Sequence, residues 1–384
     1  MSLSAATGAA AFDMTASTYP LDLSDELAEI IRSDNTSLLS RVGAMGLTAT
    51  EKTHRWVEDS LNANTATLDE DLDSSETGID VATDDGDKFK IGTLFKFNER
   101  GKTEVCRVTG VSNDTLTVER GYGSTSGETH STGAEIMIIG HTKQESWKPS
   151  QEDWTKERTA AYNYCTIFGL GLAITYTRQE VELAGIKSEF AHQTAYRLKE
   201  IMRSLDSSII NSIRSASEGG DSDYGSMAGI IEYVSQAGGN VTTTEESLTE
   251  TVTNALYKDI WDDSGGSIGR GFILVGGALK RVISTFDQAY RRNDFDSTRA
   301  GFTVEKFLTD LGFELEVIVD PWVPDDVMII GDLDRIKVGP MRGDAIRVEN
   351  LARTGRLIEA MVTGQYTMEV RNSTSAFGIH RNLA

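Results

Sequence analysis

The most regular hydrophobic pattern of the chain lies between residues 178 and 215. Apolar side chains recur there mostly three or four positions apart, at Leu198, Ile201, Met202, Leu205, Ile209 and Ile213. This spacing places them on one face of an α-helix. At 1.5 Å per residue the helix would be about 55 Å long. We expect it to form the spine of an elongated subunit and to end at the glycine-rich stretch 217–229.

Helical and strand-like patterns alternate between residues 225 and 345. The stretch ESLTETVTNALYKDIWDD predicts a helix, and GFILVGG predicts a short buried strand followed by a helix at 278–292. Apolar stretches at 312–321 and 327–339 predict further strands. These patterns indicate an α/β organisation. Residues 357–383 are interpreted as a helix or strand that leads into a long terminal strand.

A pattern with a period of two residues occupies residues 88–142. Leu116 and Val118 alternate with Thr115 and Thr117, which is typical of a half-buried strand. Short β-rich runs in this stretch are interrupted by turn residues. The stretch therefore predicts a small β-barrel or β-sandwich.

Two strands are predicted on either side of this module, at 54–68 and 162–177, and we expect them to pair as a stem. Between the first strand and the module, residues 69–87 carry nine carboxylates and no Lys or Arg. Such a run of like charges predicts a solvated linker.

A calcium-binding loop is the alternative interpretation of the acidic stretch. Asp69, Asp71 and Asp73 match the opening of such a loop. However, Ser74 replaces its turn glycine, and Asp80 stands where a bidentate Glu is needed. We therefore favour the solvated linker.

Charge and hydropathy narrow the classes of function. The net charge of −22, from 59 acidic and 37 basic residues, argues against broad binding to nucleic acid, because phosphate contacts come from Lys and Arg. It favours solubility at high concentration, and it is compatible with proximity to DNA without adhesion. No apolar run approaches the ~18 residues of a membrane span. The N-terminal stretch lacks the features of a signal peptide, so we expect cytoplasmic synthesis and no membrane partner.

The candidate catalytic and binding patterns do not have the structural context they need. The stretch VERGYGSTSGE has neither Walker A nor dinucleotide-binding spacing, so Gly121 and Gly123 are predicted to form a turn. The letters GGSIG around Ser267 match a nucleophile elbow, but a strand follows them instead of preceding them. Asp325 and Asp326 lie in PWVPDD, which is a turn signature before it is an acid–base pair.

The remaining candidates are weaker. None of the five histidines or two cysteines has metal-ligand spacing, and Cys106 is predicted to be packed in a strand. We therefore predict no catalytic, cofactor-binding or metal-binding residues, and no cofactor.

One loop mixes charges of both signs. The stretch YRRNDFDSTRAGF carries Arg291, Arg292 and Arg299 together with Asp294 and Asp296. It could be a solvated loop. It could also pair with its own copy on a symmetric neighbour, where opposite charges set the register.

Three stretches and the order of the predicted elements resemble a known family. The stretches are GFILVGGALKRVISTF, LEVIVDPWVPDDVMIIGDLDRIKVGPMRG and GQYTMEVRNSTSAFGIHRNL. With the order arm, strand, interruption, strand, long helix, α/β segment and terminal strand, they resemble the major capsid protein of tailed bacteriophages, which has the Hong Kong 97-type fold. The likeness covers most of residues 40–384. TLTVERGYGSTSGETHSTGAEI is similar to small β-modules inside phage structural proteins.

The resemblance implies an α+β fold with a long spine helix, an α/β axial domain and a small all-β insertion domain. The implied parts are an N-terminal arm at 1–45, an extended-loop stem and linker at 46–87 and 143–177, an inserted module at 88–142, the spine helix of a peripheral domain at 178–224, an axial domain at 225–345, and the terminal strand of the peripheral domain at 346–384.

The resemblance also implies a function without catalysis. Hexamers and pentamers of the chain would form an icosahedral head around double-stranded DNA, contacted without sequence specificity. Assembly would take place in the host cytoplasm, and the chain would end in the virion capsid. Few residues precede the loop, so we expect a separate scaffolding protein, with a portal and a decoration protein as further partners.

Some members of this family cross-link a loop lysine to a peripheral asparagine. Neither Lys88, Lys90 or Lys96 nor Asn372 can be matched to those roles, so no cross-link is expected.

Two other classes of function remain open. One is a phage tail or baseplate component whose β-module binds a partner or a glycan. The other is an α/β enzyme. The predicted spine helix favours a capsid subunit over a tail component, and the lack of convergent His, Cys or Asp–Ser patterns argues against an enzyme.

Overall fold

The computed structural model of the protein describes residues 37–42, 47–148, 158–180, 188–216, 224–236, 238–266, 268–286, 306–352 and 355–383. The α-helices are α1 (Ser37–Val42), α2 (Tyr176–Glu180), α3 (Glu189–Asn211), α4 (Ile230–Gln236), α5 (Glu250–Ser264) and α6 (Gly277–Ile283). The strands are β1 (Thr53–Glu58), β2 (Thr65–Thr67), β3 (Gly78–Asp80), β4 (Thr93–Phe97), β5 (Val105–Ser112), β6 (Thr115–Glu119), β7 (Glu135–His141), β8 (Thr159–Tyr164), β9 (Thr166–Thr175), β10 (Asn240–Thr242), β11 (Gly271–Val275), β12 (Lys306–Leu308), β13 (Glu314–Val319), β14 (Met328–Asp332), β15 (Ile336–Pro340), β16 (Arg347–Asn350), β17 (Leu357–Val370) and β18 (Gly378–His380).

The chain folds into two compact units. Val57–Thr159 form one unit, which we call the insert, and the described residues before and after it form the other, which we call the body. The strands β1 and β8, at the points where the chain leaves the body and returns to it, pair with each other in a two-stranded sheet.

The body is built around a six-stranded mixed sheet of order β10-β18-β14-β11-β13-β12. Its centre, β11, pairs in parallel with β13 and antiparallel with β14. Successive side chains of a strand point to opposite faces of the sheet. Accordingly, Phe272 and Leu274 pack into one hydrophobic cluster with α3 and α4, and Ile273 and Val275 pack into another with α5 and α6. Because both faces are buried, GFILV is continuously apolar instead of alternating.

The C-terminal residues belong to two sheets, so their expected assignment to a single terminal strand of one domain is wrong. The fourteen-residue β17 pairs with β9, β15 and β16 in a second sheet. The following β18 instead pairs with β14 and β10 in the central sheet. Its buried Ile379 packs with the cluster around α3, which fills that edge of the core.

The stem predicted from residues 54–68 and 162–177 is also shorter than expected. Only β1 and β8 pair with each other, and β9 turns away to pair along ten positions of β17. Phe168, Leu172 and Ile174 are buried on one face of β9. Phe168 joins the cluster that contains the apolar face of α3, so this burial directs β9 into the body.

The spine helix is α3, and its predicted bounds of 178–215 are wrong at both ends. The helix begins where the Ser188 hydroxyl accepts a hydrogen bond from the Ala191 N–H, and it ends at Ser212, whose backbone is extended. Its 23 residues span about 34 Å at 1.5 Å per residue. The segment α2 is a separate short helix. The helix predicted at 278–292 likewise ends earlier, as α6, at Ile283.

The apolar face predicted for this helix is largely the buried one. Ile201, Leu205 and Ile209 are fully buried, and Leu198 packs against their cluster. Met202 is 37% exposed, and Ile213, which is 69% exposed, lies beyond the helix end.

The insert contains a six-stranded antiparallel sheet of order β2-β7-β4-β5-β6-β3. Its two edge strands meet through a bridge between Leu68 and Val81 and through a 2.9 Å hydrogen bond from the Asp69 N–H to the Asp80 carbonyl. The sheet thus closes into a small barrel. Its interior is filled by fifteen buried side chains, including the edge-to-face pairs Phe89–Phe95 and Phe95–Phe97.

The acidic stretch 69–87 is part of this barrel, so its interpretation as a solvated linker and the module boundary at residue 88 are wrong. Four of its carboxylates each accept a hydrogen bond from a backbone N–H of the insert: Glu70 from Asp80, Asp71 from Thr132, Asp73 from Ser75, and Asp85 from Thr67. These carboxylates satisfy backbone N–H groups in loops, at Ser75 and Thr132, and at the ends of strands, at Thr67 and Asp80.

We predict that Leu205→Asp lowers the free energy of unfolding by about 4 kcal/mol or more, because it places an unpaired charge in the core behind α3. Urea unfolding followed by circular dichroism measures this loss. Met202→Asp introduces the same charge on an exposed position of the same helix and should cost less than about 1 kcal/mol. Equal losses in the two variants would show that this face of α3 is not a core face.

Candidate functional site

The acidic residues considered as calcium ligands are occupied by the protein's own backbone. Asp71 and Asp73 accept the N–H hydrogen bonds described above, and Asp69 continues the closing edge of the barrel. Within the part of the chain that the structure describes, no group of three or more His, Cys, Asp or Glu side chains is placed to hold a metal ion.

Of the other candidate site residues, some lie within the described residues and some lie outside them. Asp325 and Asp326 lie in a turn, where the Val327 N–H donates to the Pro324 carbonyl at 3.1 Å. Ser267 and the charged loop with its three arginines, Arg291, Arg292 and Arg299, lie outside the described residues.

The glycine-rich loop after β6 is a turn. Gly121 and Gly123 have positive φ angles of 60° and 74°, which glycine adopts without the strain of a side chain. A Cβ at Gly121 would also lie 3.1 Å from the Thr125 carbonyl oxygen. The Gly121 N–H donates to the Glu104 carboxylate at 3.1 Å, so the loop is closed onto a residue of its own unit.

A buried ion pair lies beneath this turn. The Arg120 guanidinium donates to both carboxylate oxygens of Glu104, at 2.6 and 2.8 Å. The same guanidinium donates to the backbone carbonyls of Asp73, Glu76 and Glu128. One side chain thereby joins three loops of the insert, in the bidentate geometry for which arginine is suited.

Glu104 is the anionic centre of this network. It also accepts from the Glu128 N–H at 2.7 Å, and the Nε2 atom of His130 lies 3.2 Å away. Burial raises the pKa of Glu104, but the hydrogen bonds from Arg120, Glu128 and His130 outweigh it and hold the pKa at about 2. Burial, followed by the nearby Glu104 charge, raises the pKa of Cys106 to about 12. Cys106 is therefore a packed thiol and not a nucleophile.

A second buried pair, of like charge, lies in the body. Asp206 on α3 is fully buried, as is Asp320 at the end of β13. The Asp206 carboxylate accepts from the Leu39 N–H of α1 at 3.1 Å, and Asp320 accepts from the Trp322 N–H at 2.9 Å. Burial, followed by the Asp320 charge, raises the pKa of Asp206 to about 7. The contact between α1 and α3 therefore contains a carboxyl group that is partly protonated near pH 7.

Asn163 is a residue of β8, and its side chain joins three segments of the body. Its Nδ2 donates to the carbonyls of Ala228 and Met368, and its Oδ1 accepts from the N–H groups of Ala228 and Tyr164. All four hydrogen bonds of the amide are made within a buried site, as polar groups in a core require.

Large apolar side chains remain exposed on both units. In the insert, Ile139 is the extra residue of a β-bulge between β7 and β4, and it is 53% exposed. In the body, Leu308 on the edge strand β12 is 63% exposed, near the exposed Leu311 and Phe313. Contiguous exposed apolar side chains, such as those at this edge of the body, are candidates for contacts with other molecules. Among the described helices, none combines the length and apolar character needed to cross a membrane.

The sequence model of the SU10 major capsid protein family matches residues 6–384. The chain belongs to this family. A bacteriophage major capsid protein is a shell-forming structural subunit, which agrees with the buried structural networks and the exposed apolar surfaces described above.

Solved structures show the same fold. A chain of the cyanophage A-1(L) capsid is 8% identical to this family member, with a TM-score of 0.51 over 96% of this chain and 98% of that one. A chain from the capsid of a native GTA particle is 9% identical, with a TM-score of 0.50 over 99% and 100%. The α+β capsid fold predicted from the sequence is confirmed. No curated protein matches the sequence.

Sequence patterns did not reveal the two buried charge networks of this capsid protein. Glu104 and Arg120 are 16 residues apart, and Asp206 and Asp320 are 114 residues apart, so no short motif joins them. Glu104 directly precedes β5 and Arg120 directly follows β6, where a buried polar group can serve several loops.

We predict that Arg120→Met destabilises the insert by about 3–5 kcal/mol, because Glu104 would remain buried without its cation. Hydrogen exchange of the barrel amides in the full-length chain measures the loss. Arg107→Met is the matched control, since its pair with Glu119 is half exposed and should contribute about 1 kcal/mol or less. A smaller effect at Arg120 than at Arg107 would contradict the assignment.

We predict that Asp206→Asn becomes more stabilising relative to wild type as the pH rises. The pKa of Asp206 is about 7 in the folded chain, whereas an unperturbed Asp side chain, as in the unfolded chain, has a pKa of 3.8. The folded state therefore binds an extra proton between these values, and wild-type stability falls as the pH rises from about 4 to about 7. Asn cannot ionise and still accepts from the Leu39 N–H.

Thermal midpoints of both chains between pH 5 and pH 8 test this expectation. Asp259→Asn, an exposed position on α5, should leave the pH profile of the wild type unchanged. A constant difference between Asp206→Asn and wild type across this range would show that Asp206 does not titrate there.

Proposed function

We propose that this chain forms the hexamers and pentamers of an icosahedral head that encloses double-stranded DNA, and that it has no catalytic role. The observation that carries the proposal is the family match across residues 6–384, which includes both the body and the insert. Hexamers and pentamers are the units by which identical subunits close an icosahedral shell. Closed point-group contacts of this kind need complementary surfaces on one chain, and the exposed apolar side chains of both units are candidates.

The proposal assigns a role to each part of the fold. The central sheet with α5 and α6 corresponds to an axial domain, and α3 with the β17 sheet corresponds to a peripheral domain. The β1–β8 pair is the stem of the extended loop, and the insert is its additional domain. The two separate sheets of the body and the separate hydrophobic core of the insert support this division. The arm proposed for residues 1–45 lies mostly outside the described residues.

The partners proposed for the chain follow from its chemistry and its family. A net charge of −22 favours a shell wall that encloses DNA without binding it tightly, because few cations are available for phosphate. A separate scaffolding protein, a portal and a decoration protein are the proposed protein partners. Assembly is proposed to occur in the host cytoplasm, before the subunit becomes part of the virion.

Expression of the full chain, alone and together with a candidate scaffolding protein from the same phage, tests the proposal. We expect capsomers or closed shells in negative-stain electron microscopy, and a fast-sedimenting species in analytical ultracentrifugation. The matched control is Leu205→Asp, which should form less of this species because the substitution destabilises the folded subunit. A wild-type chain that stays a folded monomer under all these conditions would contradict a shell-forming role.

A further inference from the structure

A contact between two carboxyl groups joins three segments of the body. Asp206 on α3 and Asp320 at the end of β13 are both fully buried, and their side chains hydrogen-bond to each other. A hydrogen bond between two carboxyl groups requires that one of them carries a proton. The Asp206 carboxyl also accepts from the Leu39 N–H of α1 at 3.1 Å. The Asp320 carboxyl accepts from the Trp322 N–H at 2.9 Å. The shared proton therefore lies where α1, α3 and the segment after β13 meet.

Of these elements, α1 is the least firmly held. It has six residues, and its buried side chains, Leu38 and Val42, pack into the cluster that contains the apolar face of α3. Its Arg41 pairs with Glu316 of β13, but the two side chains are 43% and 34% exposed, so this pair contributes little. In contrast, α3 has 23 residues, and β13 lies inside the central sheet between β11 and β12. A strain at the carboxyl pair should therefore move α1 before it moves α3 or β13.

Loss of the shared proton to solvent creates such a strain, because it leaves two carboxylates in contact inside the core. Burial, followed by the Asp320 charge, raises the pKa of Asp206 to about 7, whereas an unperturbed Asp side chain has a pKa of 3.8. The Leu39 N–H lies directly on the Asp206 carboxyl, so movement of α1 away from α3 admits water to this group. The open arrangement then binds the proton less tightly than the closed one, and the pH decides between them.

The charged side chains around α1 come from the elements packed against it. They are Arg41 on α1 itself, Arg203 on α3, Glu316 on β13, Asp334 and Arg335 in the short helical turn Leu333–Arg335, and Lys337 on β15. Arg41 is engaged with Glu316. The Arg335 Nε atom lies 3.5 Å from the Asp332 carboxylate. After burial itself, the charge that acts most on Asp206 is that of Asp320, so the two carboxyl groups titrate mainly against each other.

The extent of the movement is limited by the next contact along the chain. The Ala49 N–H donates to the Pro340 carbonyl at 3.1 Å, and the Ala49 carbonyl accepts from the Arg342 N–H at 2.8 Å. These bonds fix the chain to the end of β15, so α1 can leave without disturbing that strand. Because residues 1–36 precede α1 in the chain, its release also changes where that segment is tethered.

We propose that Asp206 and Asp320 form a proton-operated latch: α1 is docked while the two carboxyl groups share a proton, and it lifts off when the proton is lost, with the rest of the body still folded. This inference concerns the single folded chain and goes beyond the proposed shell-forming function. The docked state binds an extra proton between about pH 4 and about pH 7. Docking is therefore strongest at the acidic end of this range, weakens as the pH rises, and changes little above about pH 8.

Hydrogen exchange of the unassembled full-length chain, read by mass spectrometry, measures docking directly. Exchange times are scaled for the intrinsic effect of pH on amide exchange. We expect the protection of the α1 amides, including that of Leu39, to fall ~10-fold or more between pH 5 and pH 7. At pH 7 the α1 amides should be at least ~10-fold less protected than those of β11, because α1 opens without unfolding of the central sheet.

Two variants remove the shared proton from opposite sides. Asp206→Asn keeps an acceptor for the Leu39 N–H and presents a permanent N–H donor to Asp320, so α1 should stay docked at pH 7 and lose its pH dependence. Asp320→Asn should have the same effect, and it keeps the test decisive if the first variant does not fold. Glu316→Gln is the matched control, since it removes an exposed carboxylate that contacts α1 through Arg41 and should retain the pH dependence of the wild type.

Three results would overturn the latch. The first is wild-type protection of α1 that does not change between pH 5 and pH 7. The second is equal protection of α1 and β11, because α1 would then open only when the whole body unfolds. The third is a wild-type pH dependence in both Asp206→Asn and Asp320→Asn, which would assign the effect to another group. None of these measurements involves assembly, so they leave the proposed shell-forming function untouched.

Discussion

Burial of both faces of the central sheet is the constraint on which the body depends. A sheet whose inner strand is apolar on both sides needs a layer of helices against each face. Phe272 and Ile273 are neighbours in sequence, yet they face different layers, one built on α3 and α4 and the other on α5 and α6. The chain must therefore supply helices from both before and after β11. The C-terminal strand β18 also lies inside this sheet, between β10 and β14. The contacts of the body are therefore long-range in sequence.

The two units use buried charge in different ways. The insert has a core of only fifteen side chains, and its long loops contain backbone groups that no strand can satisfy. A bidentate ion pair at Glu104 and Arg120 serves several of those groups at once, which offsets the cost of desolvating the ions. In the body, the buried carboxyl groups of Asp206 and Asp320 lie together, and burial followed by the Asp320 charge raises the pKa of Asp206. The first pair holds loops together under most conditions, whereas the second makes the α1–α3 contact sensitive to protons.

Sequence patterns predicted those features that depend on local periodicity. The spacing of Ile201, Leu205 and Ile209 indicated the buried face of α3, and the apolar run of β11 indicated a strand buried on both sides. The ends of α3 depend on the backbone angles at Ser188 and Ser212, which periodicity does not record. The acidic stretch was misinterpreted because the sequence does not distinguish a carboxylate that accepts a backbone N–H hydrogen bond from one that is solvated.

The closure of the barrel also has a consequence for how the chain folds. All of its strand pairings lie within residues 57–159, whereas the body must join β1 to β8 across a gap of roughly a hundred residues, at an entropic cost that grows with the length of the loop. The first and last strands of the barrel, β2 and β7, are antiparallel neighbours, with Thr65 opposite Met137, so a folded barrel holds these two positions about 5 Å apart. If the insert folded before the body, a short effective loop would replace a long flexible one. The entropic cost of pairing β1 with β8 would then fall.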